Sequence, residues 1–190
     1  MKQKQLMIIL LVLFINIKKR SWRQLPKYYK SLAYVSFFNC FYYYICKRYL
    51  LWEFTAHGFQ WRILRAVHIF IVAPLITLGC LSNFPSSINK QIIHIFKWTI
   101  GSTLVEYIAV KNKILIFKHG WNILWSSLIY LQMYTFSYYH TKNPLQTWIC
   151  SIFFVVSFII KFNVPLKKRL LKGPFCLFFH KDKPFFSMES

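Results

Sequence analysis

The chain has almost no acid. Only four of its 190 residues are Asp or Glu, against 25 Lys and Arg, and Asp182 is the single aspartate. That scarcity excludes the Asp-rich motifs that hold magnesium beside a substrate phosphate. It leaves acid/base chemistry to Glu53, Glu106 and the histidines. Glycine is scarce too: the five present spell no Gly-rich phosphate loop, no P-loop and no G-x-S-x-G elbow. The five cysteines (Cys40, Cys46, Cys80, Cys150 and Cys176) form no C-x-x-C pair and are odd in number. Four of them lie in apolar runs, where a thiol behaves as a small hydrophobe. Six scattered histidines show neither H-E-x-x-H nor a neighbouring Cys, so no metal and no cofactor is expected.

What is present is apolar and basic. Hydrophobic residues make up 56% and aromatic residues 21%, while charged residues make up only 15%, where a soluble domain carries about 25%. The cations gather between apolar runs, at Lys18-Lys19-Arg20, at Lys47-Arg48, within 111–118 and at Lys167-Lys168-Arg169, rather than along one amphipathic face. That is the pattern of membrane flanks, where Lys and Arg meet headgroup phosphates. The expected partners are therefore the lipid bilayer and other membrane proteins, with no nucleic acid.

Six apolar blocks are legible at residues 6–17, 32–46, 67–81, 92–110, 121–139 and 145–160. A helix needs about 20 residues to cross the bilayer, and flanking Lys, Arg, Trp and Tyr extend shorter ones. The expected fold class is an all-α integral membrane bundle of five to six transmembrane helices joined by short loops. It forms one domain over 1–160, followed by a basic tail at 161–190 that reads either as a disordered extension or as an interfacial segment at 170–179. The first block is short and resembles a signal-peptide core, yet no small-residue cleavage site follows it. It reads as an uncleaved anchor. Pro74 interrupts the third block and predicts a kink whose freed carbonyl a neighbouring helix must satisfy.

With six crossings, 16 of the Lys and Arg fall on the side of the termini and 8 on the other, Lys97 lying within a span. Both termini are thus expected to be cytoplasmic. If residues 6–17 do not cross, the count becomes 10 against 14 and the orientation is open.

Glu106 is the one carboxylate inside an apolar block. Thr99, Ser102, Thr103 and Glu106 share one helical face, while Lys97, nine positions away, shares the opposite face with His94. Intramembrane acids usually face the bundle interior and find a partner. Glu106 is expected first in a structural role, paired with a cation of another helix to lock the bundle or neutral near the interface, and second as a proton carrier, ligand contact or catalytic acid. Strict alternation of the spans puts the second and fourth loops on one membrane face. Trp52, Glu53, Arg62, Arg65, Glu106, Trp121, Asn122 and Ser126, with His119, gather towards that face, which makes it the candidate polar site. Its plain alternative is an interfacial Trp belt with a Glu–Arg bridge. The opposite face offers Asn83-Phe84-Pro85 and residues 140–144, which read as turns.

Glu106-Tyr107, Gly120-Trp121-Asn122, Trp125-Ser126, His140, Lys142, Pro144 and Trp148, preceded by Leu51-Trp52-Glu53, Pro74 and Phe84-Pro85, resemble a family of small multi-pass membrane proteins of spore-forming Gram-positive bacteria. The resemblance covers roughly residues 22–160 and implies a bacterial plasma-membrane protein. It carries no activity, substrate or catalytic role. The functional expectation is a non-enzymatic envelope or accessory membrane protein. Two alternatives stand beside it: a membrane-embedded enzyme acting on a lipid or polyprenyl substrate, and a small transporter using Glu106.

Overall fold

A computed structural model describes residues 2–47, 49–55 and 60–165, and within them the chain is mostly helical. The helices are α1 (Lys2–Lys18), α2 (Leu25–Ile45), α3 (Trp61–Leu81), α4 (Ile88–Lys111), α5 (Ile123–His140) and α6 (Pro144–Lys161). Most of the basic tail, including the stretch at 170–179, lies outside the described residues, as does Arg48. Two helices are long and apolar enough to cross a membrane by length and composition: α3, with mean hydropathy 2.0, and α6, with 1.6. In α1 the apolar stretch Ile9–Lys18 is shorter. The other three are long, at 21, 24 and 18 residues, but Tyr, Asn, Gln and Lys dilute their hydropathy.

Local chemistry sets the helix ends. Pro26 and Pro144 stand in the first turns of α2 and α6, where a missing N–H costs nothing and a fixed φ favours the helix. Asn122 starts α5, its side-chain oxygen accepting from the backbone N–H of Leu124 (3.0 Å) and Trp125 (3.2 Å). At the end of α4 the chain turns through Lys113, at φ 55°, with Ile114 N–H donating to Ala109 and Lys113 N–H to Val110. The end of α6 repeats this through Asn163 at φ 48°, with Val164 donating to Ile159 and Asn163 to Ile160. Both are Schellman closures, which stop a helix by satisfying its last carbonyls.

The irregularity expected at Pro74 takes the form of a π-helical turn, His68–Val72, within α3. Ala73 N–H donates to the His68 carbonyl, five residues back. In that register residue 74 would donate to Ile69, and proline has no N–H to give. The Ile69 carbonyl instead accepts from Ser36 Oγ of α2, at 3.1 Å. Ser36→Ala is therefore expected to destabilise the protein by about 1–2 kcal/mol, as when a buried acceptor loses its only donor. The cost should shrink in a Pro74→Ala background, where residue 74 regains its own N–H; equal costs in both backgrounds, measured by detergent unfolding, would show that Ser36 does not compensate for the proline.

The Ala73–Leu81 half of α3 is the centre of the bundle, with Thr77, Leu78, Cys80 and Leu81 fully buried. It packs against α1, α2, α4 and α5. Asn16 of α1 donates to the Leu75 carbonyl at 3.0 Å, docking the short first helix on α3. The most extensive helix pairings are α2 with α3 and α4 with α5, and α6 lies chiefly against α5.

A feature the all-α expectation did not contain joins the second and fourth loops. Strands β1 (Trp52–Phe54) and β2 (Leu115–Phe117) pair antiparallel, with Glu53 opposite Ile116. The ribbon is extended by Thr55 N–H to the Ile114 carbonyl (2.9 Å) and Lys118 N–H to the Leu51 carbonyl (2.8 Å). It leads into a tight turn, with His119 at φ 54°, Gly120 at φ 79° and Trp121 N–H donating to Lys118 at 3.0 Å. Two successive positive φ values define a type I′ turn, which glycine at its third position accommodates without strain.

Candidate functional site

The residues expected to gather on one face divide into two groups. The first is built on the ribbon. Glu53 of β1 receives Arg65 of α3 at 2.9 Å on one carboxylate oxygen and Lys118 at 3.2 Å on the other. Lys118 reaches Glu53 because it lies two residues beyond Ile116 on the partner strand, the same-face diagonal neighbour. The Arg65 guanidinium is also sandwiched by aromatics, 4.4 Å from the Trp61 ring centre and 5.3 Å from Tyr43. Trp52 stacks flat on Tyr42 of α2, with ring centres 5.1 Å apart and planes 4° apart. The Tyr42 hydroxyl accepts from the Leu51 and Trp52 N–H groups and donates to the Trp52 carbonyl, fastening the ribbon to α2. Arg62 stands over Trp61, 5.2 Å from its ring centre, apart from the ion triad.

The second group lies along the α4–α5 seam. Glu106 accepts a hydrogen bond from Ser126 Oγ and another from the Tyr130 hydroxyl. Ser126 Oγ in turn accepts from Trp121 Nε1 at 2.9 Å. Farther along the seam, Ser102 pairs with the fully buried Tyr134. The expectation that a cation locks Glu106 is corrected: its partners are neutral hydroxyls, because α5 presents Ser126, Tyr130 and Tyr134 at helical spacing to Ser102 and Glu106 of antiparallel α4. Trp121 and Asn122, read from sequence as part of the fifth helix, precede it. Trp121 closes the turn and packs on Phe158 and Phe162 of the α6 end, and Asn122 caps α5.

Sequence reasoning missed Lys118, Tyr42 and Tyr130. Tyr130 was readable as the residue one turn beyond Ser126. Lys118 and Tyr42 act through the ribbon, which three-residue strands do not announce. Among the described residues no side-chain hydrogen bond or ion pair joins the two groups, which are linked through the backbone bond from Trp121 to Lys118; Trp52 and Phe54 meet Ala109, Ile114 and Leu115 between them as an apolar cluster. Chemically, Glu53 is neutralised by two cations, and Glu106 spends acceptor capacity on protein hydroxyls. Among the described residues no group of three or more His, Cys, Asp or Glu side chains is placed to hold a metal ion.

At the other end of the bundle His140 stacks on Tyr34, ring centres 4.8 Å apart, with Ser31 Oγ 3.4 Å from its Nδ1. No protein-family model, curated protein or solved structure matches the chain.

Proposed function

We propose that the chain is a multi-pass integral membrane protein whose helices cross the bilayer as one bundle, and that it acts as a non-enzymatic accessory or interaction component of a bacterial envelope. The observation that carries this reading is an inverted distribution of polarity. Along α6, Leu145, Ile149, Ile152, Phe153, Val156 and Ile160 form an outward stripe running the length of the helix, each 46–73% exposed. The residues that α6 buries are Thr147 and Ser151. On α4, Ile92, Phe96, Ile100 and Leu104 likewise face outward, while Thr99 is buried. In water these apolar bands would be aggregation surfaces; against lipid they are at rest. Small hydroxyl residues at helix contacts are what membrane bundles use to pack closely.

Helix lengths agree with this reading. Helices α2, α4 and α5, of 21, 24 and 18 residues, are roughly 27–36 Å long at 1.5 Å per residue, matching a bilayer core of about 30 Å. The ribbon has open strand edges, which hydrocarbon does not tolerate. We place it at the interface, on the cytoplasmic side with both termini. Phe162 and Val164, at the start of the tail, pack with Leu50 and Trp121 at the ribbon end, in keeping with that arrangement. The non-enzymatic part of the proposal rests on Glu53 and Glu106 both being engaged by the protein's own groups.

Single-cysteine labelling tests the topology. In a cysteine-free background, Ser86→Cys and Thr141→Cys are expected to react with a membrane-impermeant maleimide in intact cells. Lys111→Cys should react only after lysis, and Phe153→Cys in neither case. Labelling of positions 86 and 111 from the same side, or release of the protein by alkaline carbonate, would sink the proposal.

A second reading, a small carrier using Glu106, draws on the same seam. Thr99 and Thr103, on the Glu106 face of α4, carry buried hydroxyls without hydrogen-bond partners. These hydroxyls are free to donate to a transient ligand that enters the seam.

A further inference from the structure

On the far side of α4 from Glu106, at the end opposite the ribbon, is an open, surface-facing cavity of about 390 Å³ lined by Asn83, Pro85, Lys90, Ile93, His94 and Lys97. Lys90, His94 and Lys97 follow one another at spacings of four and three, so they stack on one helical face. The two lysines are seven residues apart, about 10 Å along the helix axis at 1.5 Å per residue. They are exposed, and neither is paired with a carboxylate; the two acids among the described residues, Glu53 and Glu106, are engaged elsewhere. His94 is oriented by its Nε2, which donates to the Cys80 carbonyl at 2.9 Å.

An anion here would also meet two features of the start of α4 favourably. Lys90 is the third residue of α4, where the helix dipole disfavours a cation, and the first turn contains no acid. Ser87 precedes the helix without capping it through its side chain. We propose that this cavity binds a phosphate group, held between the Lys90 and Lys97 ammonium groups with Asn83 and His94 beside it.

Phosphate could come from a lipid headgroup or from free phosphate. The surroundings favour lipid. Ile93, which lines the cavity, continues along α4 as Ile100 and Leu104, each 54–57% exposed. Gly101 lies beside this line with no atom within 4 Å of the place a Cβ would occupy. Together they form a flat apolar track running from the cavity towards the middle of the helix, suited to an acyl chain. The lipid source rests on the membrane reading, whereas the phosphate chemistry stands without it, so the two fail separately.

The test uses the full chain in neutral detergent, titrated with short-chain phosphatidic acid, with phosphatidylcholine and with inorganic phosphate, and read by intrinsic tryptophan fluorescence and thermal shift. Phosphatidic acid is expected to bind at least tenfold more tightly than phosphatidylcholine. Lys90→Gln/Lys97→Gln should weaken that binding at least tenfold, Lys90→Arg/Lys97→Arg should largely retain it, and Lys111→Gln/Lys161→Gln, at the other end of the bundle, should leave it unchanged. Rising salt should weaken it, as for any exposed ion pairing. If inorganic phosphate displaces phosphatidic acid at equal concentration, the site stands with free phosphate as its source; if it fails to displace at a hundredfold excess, the lipid source stands. Equal phosphatidic acid binding by wild type and by a folded Lys90→Gln/Lys97→Gln protein would overturn the proposal. So would the same loss in the Lys111→Gln/Lys161→Gln control.

Discussion

Gly79→Leu is expected to lower the melting temperature of the detergent-purified protein by about 5–10 °C, corresponding to about 2–3 kcal/mol of overpacking in a chain of this length. A Cβ built on Gly79 would stand 2.8 Å from Cη2 of Trp98 and 3.6 Å from two further ring carbons. Here α3 and α4 approach closely, and the indole has little freedom to yield. Tyr134 lies 6.0 Å from it, His94 6.4 Å, and the Lys19 ammonium stands over the ring at 4.7 Å. Any side chain at position 79 must therefore push α4 outward, loosening the α4–α5 seam behind it. Gly79→Ala should fall between wild type and the leucine variant, and Trp98→Leu should restore part of the loss by vacating the contact. A Gly79→Leu protein that melts within a degree of wild type would show that the close approach is not a constraint.

How far this architecture was legible can be judged at particular residues. The apolar blocks announced the helices because burial and lipid contact both demand runs of hydrophobic residues, and among the described residues every α-helix overlaps one of the blocks. The ends were less visible: Arg62 and Arg65 fall inside α3 although the block was read from residue 67, because a cation at a helix end lowers hydropathy without stopping the helix. Alternation of the spans also put the second and fourth loops on one side. Their union as a ribbon was not readable, since Trp52–Phe54 and Leu115–Phe117 are each three residues long and their pairing is long-range. For the same reason the partner of Glu53 could be guessed as an arginine but not as Lys118 as well. Pro74 declared an irregularity in its helix, yet the π turn and the donor from Ser36 depend on which face α2 presents. The partners of Glu106 depended on interhelical register in the same way, which left a cation and a hydroxyl equally available to a reader of the sequence alone.

That last ambiguity decides what substitution of Glu106 should do. In the structure the carboxyl is the acceptor at the end of a chain running from Trp121 Nε1 through Ser126 Oγ, with Tyr130 donating as well. Glu106→Leu removes the acceptor for two hydroxyls that stay enclosed, each losing about 1–2 kcal/mol. The expected destabilisation is about 2–4 kcal/mol, with Ser126→Ala costing less in the leucine background than in wild type. Glu106→Gln keeps an oxygen for Ser126, and the Tyr130 hydroxyl can rotate to accept from the new amide, so its stability should lie within about 1 kcal/mol of wild type. The glutamine variant thus preserves the lock while removing the ionisable group. If the seam is only a lock, Glu106→Gln protein in proteoliposomes carrying a pH-sensitive dye will match wild type in every flux measured. If wild type moves protons and the glutamine variant, folded and equally stable, does not, then the accessory reading fails and the carrier reading takes its place. The unpaired hydroxyls of Thr99 and Thr103 would then be the next groups to substitute, because they lie on the same face of α4 as Glu106.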